Sequence, residues 1–190
     1  MNKNGLDSRS REKKVGLWVG GVSTFLLVSF FLVPFYLPEG SVPKLSGRAN
    51  AFDYHSEDGW GNIQTSGNGD VGHNQSEYGE FVWSDLDPYA AFIYGFGDLN
   101  CHTKAERSWE VNGNQMPVCV RDVGIFLGIA IGGFLFSRKG FNRWTIRDTF
   151  LSLLPDRVMG PVYKNDKRLL AMFVIAGIAA IPMAVDGFTQ

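Results

Sequence analysis

The residues able to do chemistry are crowded into one stretch. CHTKAERSWEVNGNQMPVCVRDVG, Cys101 to Gly124, carries both cysteines and one of the three histidines of the 190-residue chain. It also carries an Arg121-Asp122 pair that leads straight into an apolar run. Three chemistries use these residue types. In the first, Cys101, His102 and Cys119 supply two thiolates and an imidazole to a metal, with Asp122 or Asp186 as a fourth ligand. Such a mixed donor set suits zinc, and an open fourth position would activate water. In the second, a Cys101–Cys119 disulfide closes a loop in an oxidising compartment and contributes about 3 kcal/mol. In the third, Cys101 or Cys119 is a catalytic thiol activated by His102 or Arg107. The disulfide accounts for the cysteines alone and leaves Asp122, Asp186 and the arginines without a role. At the level of sequence the three stay open, and with them whether the chain is an enzyme.

The elements that must position these residues are apolar. Three blocks hold most of the hydrophobic residues: Val15 to Tyr36 without a charge, Val123 to Phe136, and Leu169 to Val185. A membrane-crossing helix needs about 20 mostly apolar residues. The first block meets this, and the other two meet it once their polar ends are counted. None has the one-sided period of a soluble amphipathic helix. A chain this short has too little other material to bury three such helices. The expected fold is therefore an α-helical integral membrane protein with three transmembrane helices and a largely irregular acidic extracytoplasmic loop. Its parts are a basic cytoplasmic tail (1–14), a signal anchor (15–37), the loop with an aromatic interfacial segment (38–100), and a membrane domain (101–190). The later spans fall at about 118–137 and 169–187.

Orientation follows from the basic residues. Five precede the first block and eight lie between Arg138 and Arg168, whereas Leu37 to Pro117 carries only four against twelve acids. Cytoplasmic segments are enriched in Lys and Arg, which puts the N-terminus and the second loop inside and the acidic segment and C-terminus outside. The first block has a longer apolar stretch than a cleaved signal peptide, and no small-x-small site follows it, so it reads as an uncleaved anchor. From Pro38 to Gly79 the chain is rich in turn residues. GNGD does not fit the calcium-loop spacing. His55 and His73 read as surface residues, and Asn74-Gln75-Ser76 is a glycosylation sequon. The aromatic stretch from Glu80 to Asn100 reads as an interfacial segment or, equally, a small packed subdomain. The basic loop, with a helix expected around Thr145 to Leu154, suits anionic headgroups. GIAIGG reads as close helix packing, since no strand precedes it. The expected partner is the lipid bilayer. No nucleotide-binding loop, serine triad or nucleic-acid module is present, and assembly into a homo-oligomer or membrane complex stays open.

Three spans of alternating direction bring Asp186 and Gln190 to the membrane face that carries Cys119, Arg121 and Asp122. Ionisable residues at that depth need partners and are functional candidates. Asp186 is expected to pair with Arg121 in preference to Arg107, because a guanidinium fork suits a carboxylate. The blocks CH, ERS, NGNQMPVCVRDVGIFLG and PMAVDGFTQ, in this order, resemble the Domain of Unknown Function 2085 family of predicted membrane proteins. The resemblance runs from Cys101 to Gln190, with a poorly matched loop between. It implies Cys101, His102, Arg107, Cys119, Arg121, Asp122, Asp186 and Gln190 as family positions. Thr103 stands where the family pattern has glutamine. The resemblance implies a membrane protein and no activity.

Overall fold

A charge-free run from Val15 to Tyr36 can satisfy its backbone in lipid only as a helix, and α1 spans Ser10–Tyr36 without interruption. The structure is a computed structural model that describes residues 9–47, 52–63, 74–141 and 145–189, with side chains as far as Ile181. After α1 come α2 (Trp60–Ile63), α3 (Pro88–Asn100), a hairpin of β1 (Glu110–Val111) and β2 (Asn114–Gln115), and then α4 (Val120–Lys139). α5 (Ile146–Leu151), α6 (Asp156–Lys164) and α7 (Arg168–Thr189) complete the chain. Two of these helices, α1 and α4, are long and apolar enough to cross a membrane. α7 is 22 residues long, and its described apolar part, Arg168–Ile181, is shorter than a span. The protein is thus mostly helical with two candidate spans.

The chain divides into two compact units, one of residues 1–20 with 131–190 and one of residues 21–130. In the first, α1 and α4 meet through small residues. A Cβ on Gly16 would lie 2.5 Å from the Ser137 amide nitrogen, and one on Gly133 would lie 2.6 Å from that of Gly20. Only glycine permits such an approach, which is the close packing expected of GIAIGG. The last carbonyls of α4 have no partners within the helix. Arg9 supplies them: its guanidinium donates to Phe136, Ser137, Arg138 and Gly140 and lies over the Phe141 ring, 5.1 Å from the centroid. Thr145 caps α5 by accepting from the Asp148 amide at 3.1 Å, which agrees with the helix expected there.

In the second unit, residues 38–47, 52–63 and 74–87 consist mainly of turns and short helices, and they are packed. Val42, Leu45, Tyr54, Phe81, Ile93, Tyr94 and Met116 share one buried core with Leu26, Phe30 and Val33 of α1. With little regular structure, the backbone groups are paired by buried side-chain amides and one carboxylate instead. Gln75 accepts from the Ser46 amide and donates to Lys44 and Gly79. Asn62 accepts from Phe81 and donates to Ser56 and Phe81. Asp98, only 2% exposed, accepts from the amides of Asp53 and Tyr54 and from the Trp83 indole at 3.0–3.1 Å. The aromatic segment is packed into this core, through Phe81, Ile93 and Tyr94. Asp87 caps α3 and accepts the Tyr36 hydroxyl at 2.7 Å.

The hairpin closes the unit. Asn112 and Gly113 both have positive φ, the requirement of a two-residue type I′ turn, and Asn-Gly meets it at little cost. This turn aims Asn112 and Asn114 at the end of α1, where they donate to the carbonyls of Pro34, Phe35, Leu37 and Pro38. Phe30, Phe96 and Phe126 pack ring to ring at 5.2–6.1 Å, joining α1, α3 and α4.

Candidate metal centre

Cys101 ends α3. Its amide bonds to the Gly97 carbonyl, and its own backbone is extended. Gly97 fixes what α3 meets there: a Cβ at this position would lie 1.9 Å from the Pro117 carbonyl oxygen. The segment that leads into α4 can therefore press against the last turn of α3. Cys119 follows at the start of α4, where its carbonyl accepts the first helical bond from the Val123 amide. Its amide nitrogen lies 3.1 Å from the Cys101 sulfur, to which it donates. In a capping box the residue at the third helical position would reach back to that amide. Here Cys101 does so, which frees Asp122 to receive the Cys119 thiol, with Sγ 3.1 Å from Oδ2.

The Cys101 and Cys119 sulfurs and an Asp122 carboxylate oxygen thus all lie within 4.8 Å of one another. Cys101 is 1% exposed. Its thiol is pushed well above the ordinary value, first by donating to Cys119 and then by burial. Asp122 lies in the first turn of α4, where the helix dipole favours a carboxylate. Two sulfurs and a carboxylate converging at one point form a donor set for a borderline-soft divalent cation.

Of the residues expected at the site, Cys101, Cys119 and Asp122 come together. His102 does not, and its place in the ligand set is corrected. Cys101 is extended, so neighbouring side chains alternate sides: Cys101 and Thr103 are buried and His102 is exposed. Arg107 is exposed on a 3-10 turn, and Arg121 is exposed on α4. The Asp186 side chain and Gln190 lie outside the described residues, as do His73 and the GNGD stretch. The expected Arg121–Asp186 pair is therefore not described. Both cysteines are free thiols, so the disulfide is not formed.

Sequence reasoning passed over the residues that hold the cluster in place. Gln115 accepts from the Leu45 amide and donates to the Thr103 carbonyl, pinning the loop after Cys101. Tyr94 donates to the Gln115 carbonyl at 2.7 Å. Gly97 carries no signal of its own. The Asn112-Gly113 dipeptide does, and it would have placed Gln115 on a hairpin strand.

The long helices expose apolar faces, and two of them, α1 and α4, are candidate membrane spans. In comparison with known proteins, residues 101–190 are similar to the DUF2085 family, described as a predicted membrane protein. An uncharacterized protein of Methanocaldococcus jannaschii is 31% identical over 98 residues, 52% of this chain and 48% of its own length. An uncharacterized protein of Methanothermobacter thermautotrophicus is 33% identical over 90 residues, 47% of this chain and 59% of its own. The chain thus spans about half the length of the curated relatives it matches. No solved structure matches it. The matched stretch begins at Cys101, whereas Gly97 and α3, which position that cysteine, precede it.

Proposed function

We propose that this is an integral membrane metalloprotein whose Cys101, Cys119 and Asp122 bind zinc at the start of the second span. One observation carries the reading: the ligand atoms of three residues, drawn from two segments 18 positions apart, lie within 4.8 Å of one another. Two thiolates and a carboxylate are ligands that zinc accepts in tetrahedral geometry. The rival reading is a non-enzymatic membrane subunit in which the same cysteines, free thiols here, form a structural disulfide. Elemental analysis of the detergent-purified chain, beside free-thiol counting, separates them. The metal reading requires about one zinc per chain, lost in Cys101→Ser, Cys119→Ser and Asp122→Asn. Metal-free protein with no titratable thiol would establish the disulfide instead.

The topology we infer has three spans. The N-terminus and the 138–168 segment are cytoplasmic, and the 38–117 segment and C-terminus lie outside. The distribution of Lys and Arg supports it, as do the exposed apolar residues of α7, among them Phe173 and Ile178. Cysteines introduced at Ser66 and at Lys164 should label from opposite sides. Labelling from one side would refute this topology.

A further inference from the structure

Thr103 departs from what its sequence favours in two ways. Its φ is +46°, a left-handed conformation that a β-branched residue rarely adopts. It is also 2% exposed, and its Oγ1 has no hydrogen-bond partner. Backbone strain of this kind persists only where the surroundings enforce it, and it gathers at ligand sites. Here the Gln115 amide holds the Thr103 carbonyl at 2.6 Å. The strained residue is thus tied to the hairpin and stands two positions from a proposed ligand, Cys101. A buried hydroxyl without a partner is unfavourable unless something that binds supplies one.

From these observations we infer that the site is an open one: its fourth ligand is a solvent oxygen, and the Thr103 hydroxyl is that oxygen's hydrogen-bond partner. This rests on the metal reading above and extends it. Only three ligand atoms converge among the described residues. The imidazole that would have closed the set, His102, faces solvent. Three protein ligands and one solvent position are the arrangement of catalytic zinc sites, whereas structural sites close with four. An open site takes an exchangeable oxygen or anion donor, and its substrates are those a Lewis acid or a bound hydroxide can attack, such as ester, amide or phosphoryl groups. Thr103 acts through the solvent ligand and touches no metal, so it is a positioning residue.

The test uses the full-length chain in detergent, loaded with cobalt(II), whose visible bands report coordination. Azide is the probe of the open position. Wild-type protein should show sulfur-to-cobalt charge transfer, and its d–d bands should shift on azide addition. Thr103→Val keeps the shape and removes the hydroxyl. It should keep one cobalt per chain and the charge-transfer band, while azide binds about tenfold tighter because the competing solvent is held less well. Thr103→Ser should restore the wild-type azide affinity. Cobalt-loaded wild-type protein indifferent to azide would overturn the open site and leave the metal reading standing. Equal azide affinity in wild type and Thr103→Val would overturn the role of Thr103. Failure of the wild type to bind cobalt would overturn the metal reading and this inference together.

Discussion

Between Leu37 and Cys119 a set of large side chains turns inward. Leu45, Tyr54, Ile93 and Met116 are almost fully buried, and amide side chains meet the backbone groups enclosed with them. Along α7 the reverse holds: Leu169, Leu170, Phe173, Val174, Ile178 and Ile181 stand exposed. The topology proposed above makes the difference one of solvent. A segment in water must hide apolar surface and pair every polar group it buries with it. A helix in lipid has its backbone satisfied internally and gains by facing its apolar side chains outward. Polar side chains carry the structure in the first region and are nearly absent from the second.

The sharpest way to break this contrast is at Asp98. Asp98→Ala leaves two buried amides and the Trp83 indole without an acceptor. Stability should fall by about 3–5 kcal/mol, seen as early thermal unfolding and protease sensitivity of the segment between α1 and α4. A smaller effect is expected at Gly97. A methyl group there meets the Pro117 carbonyl, and overpacking of this kind costs about 1–3 kcal/mol. Gly97→Ala should also part Cys101 from Cys119, so metal content should fall further than in other variants of equal stability.

Asp87 tests the capping chemistry of the same region. Asp87→Ala removes an N-cap and should cost about 1 kcal/mol. The Tyr36 hydroxyl, with the Ala90 and Tyr89 amides, holds this carboxyl below its usual range. Its contribution is therefore complete above the unfolded carboxyl's range and is lost as pH falls through the lowered folded value. The acid limb of the unfolding profile should be flatter in Asp87→Asn than in the wild type. Phe173→Ala marks the other end of the comparison. Its ring is 62% exposed, so in lipid-like detergent stability should change by no more than about 0.5 kcal/mol. A loss as large as that at Asp98 would mean that α7 is buried like a soluble core helix.

The same division explains how much the sequence disclosed. α1 and α4 were legible because an unbroken apolar run in lipid admits one backbone solution. Cys101, Cys119 and Asp122 were legible as a group because Cys119 and Asp122 lie one helical turn apart and the chain has only two cysteines. The segment between α1 and α4 was not, because its order comes from long-range pairs. Asn114 to Pro34, Gln115 to Leu45 and Asp98 to Asp53 each join positions 45 or more residues apart. No local period records such pairs, and turn-rich composition hides them. His102 misled for a related reason: adjacency to Cys101 suggested a shared centre, but an extended backbone sends neighbours to opposite sides.

The central claim concerns Cys101, Cys119 and Asp122, and X-ray absorption at the zinc edge of the purified, full-length protein tests it most directly. The account predicts a mixed first shell with two sulfurs at about 2.3 Å and oxygen donors at about 2.0–2.2 Å. Cys101→Ser should leave one sulfur in the shell. A shell of oxygen and nitrogen alone, with both cysteines intact, would contradict it.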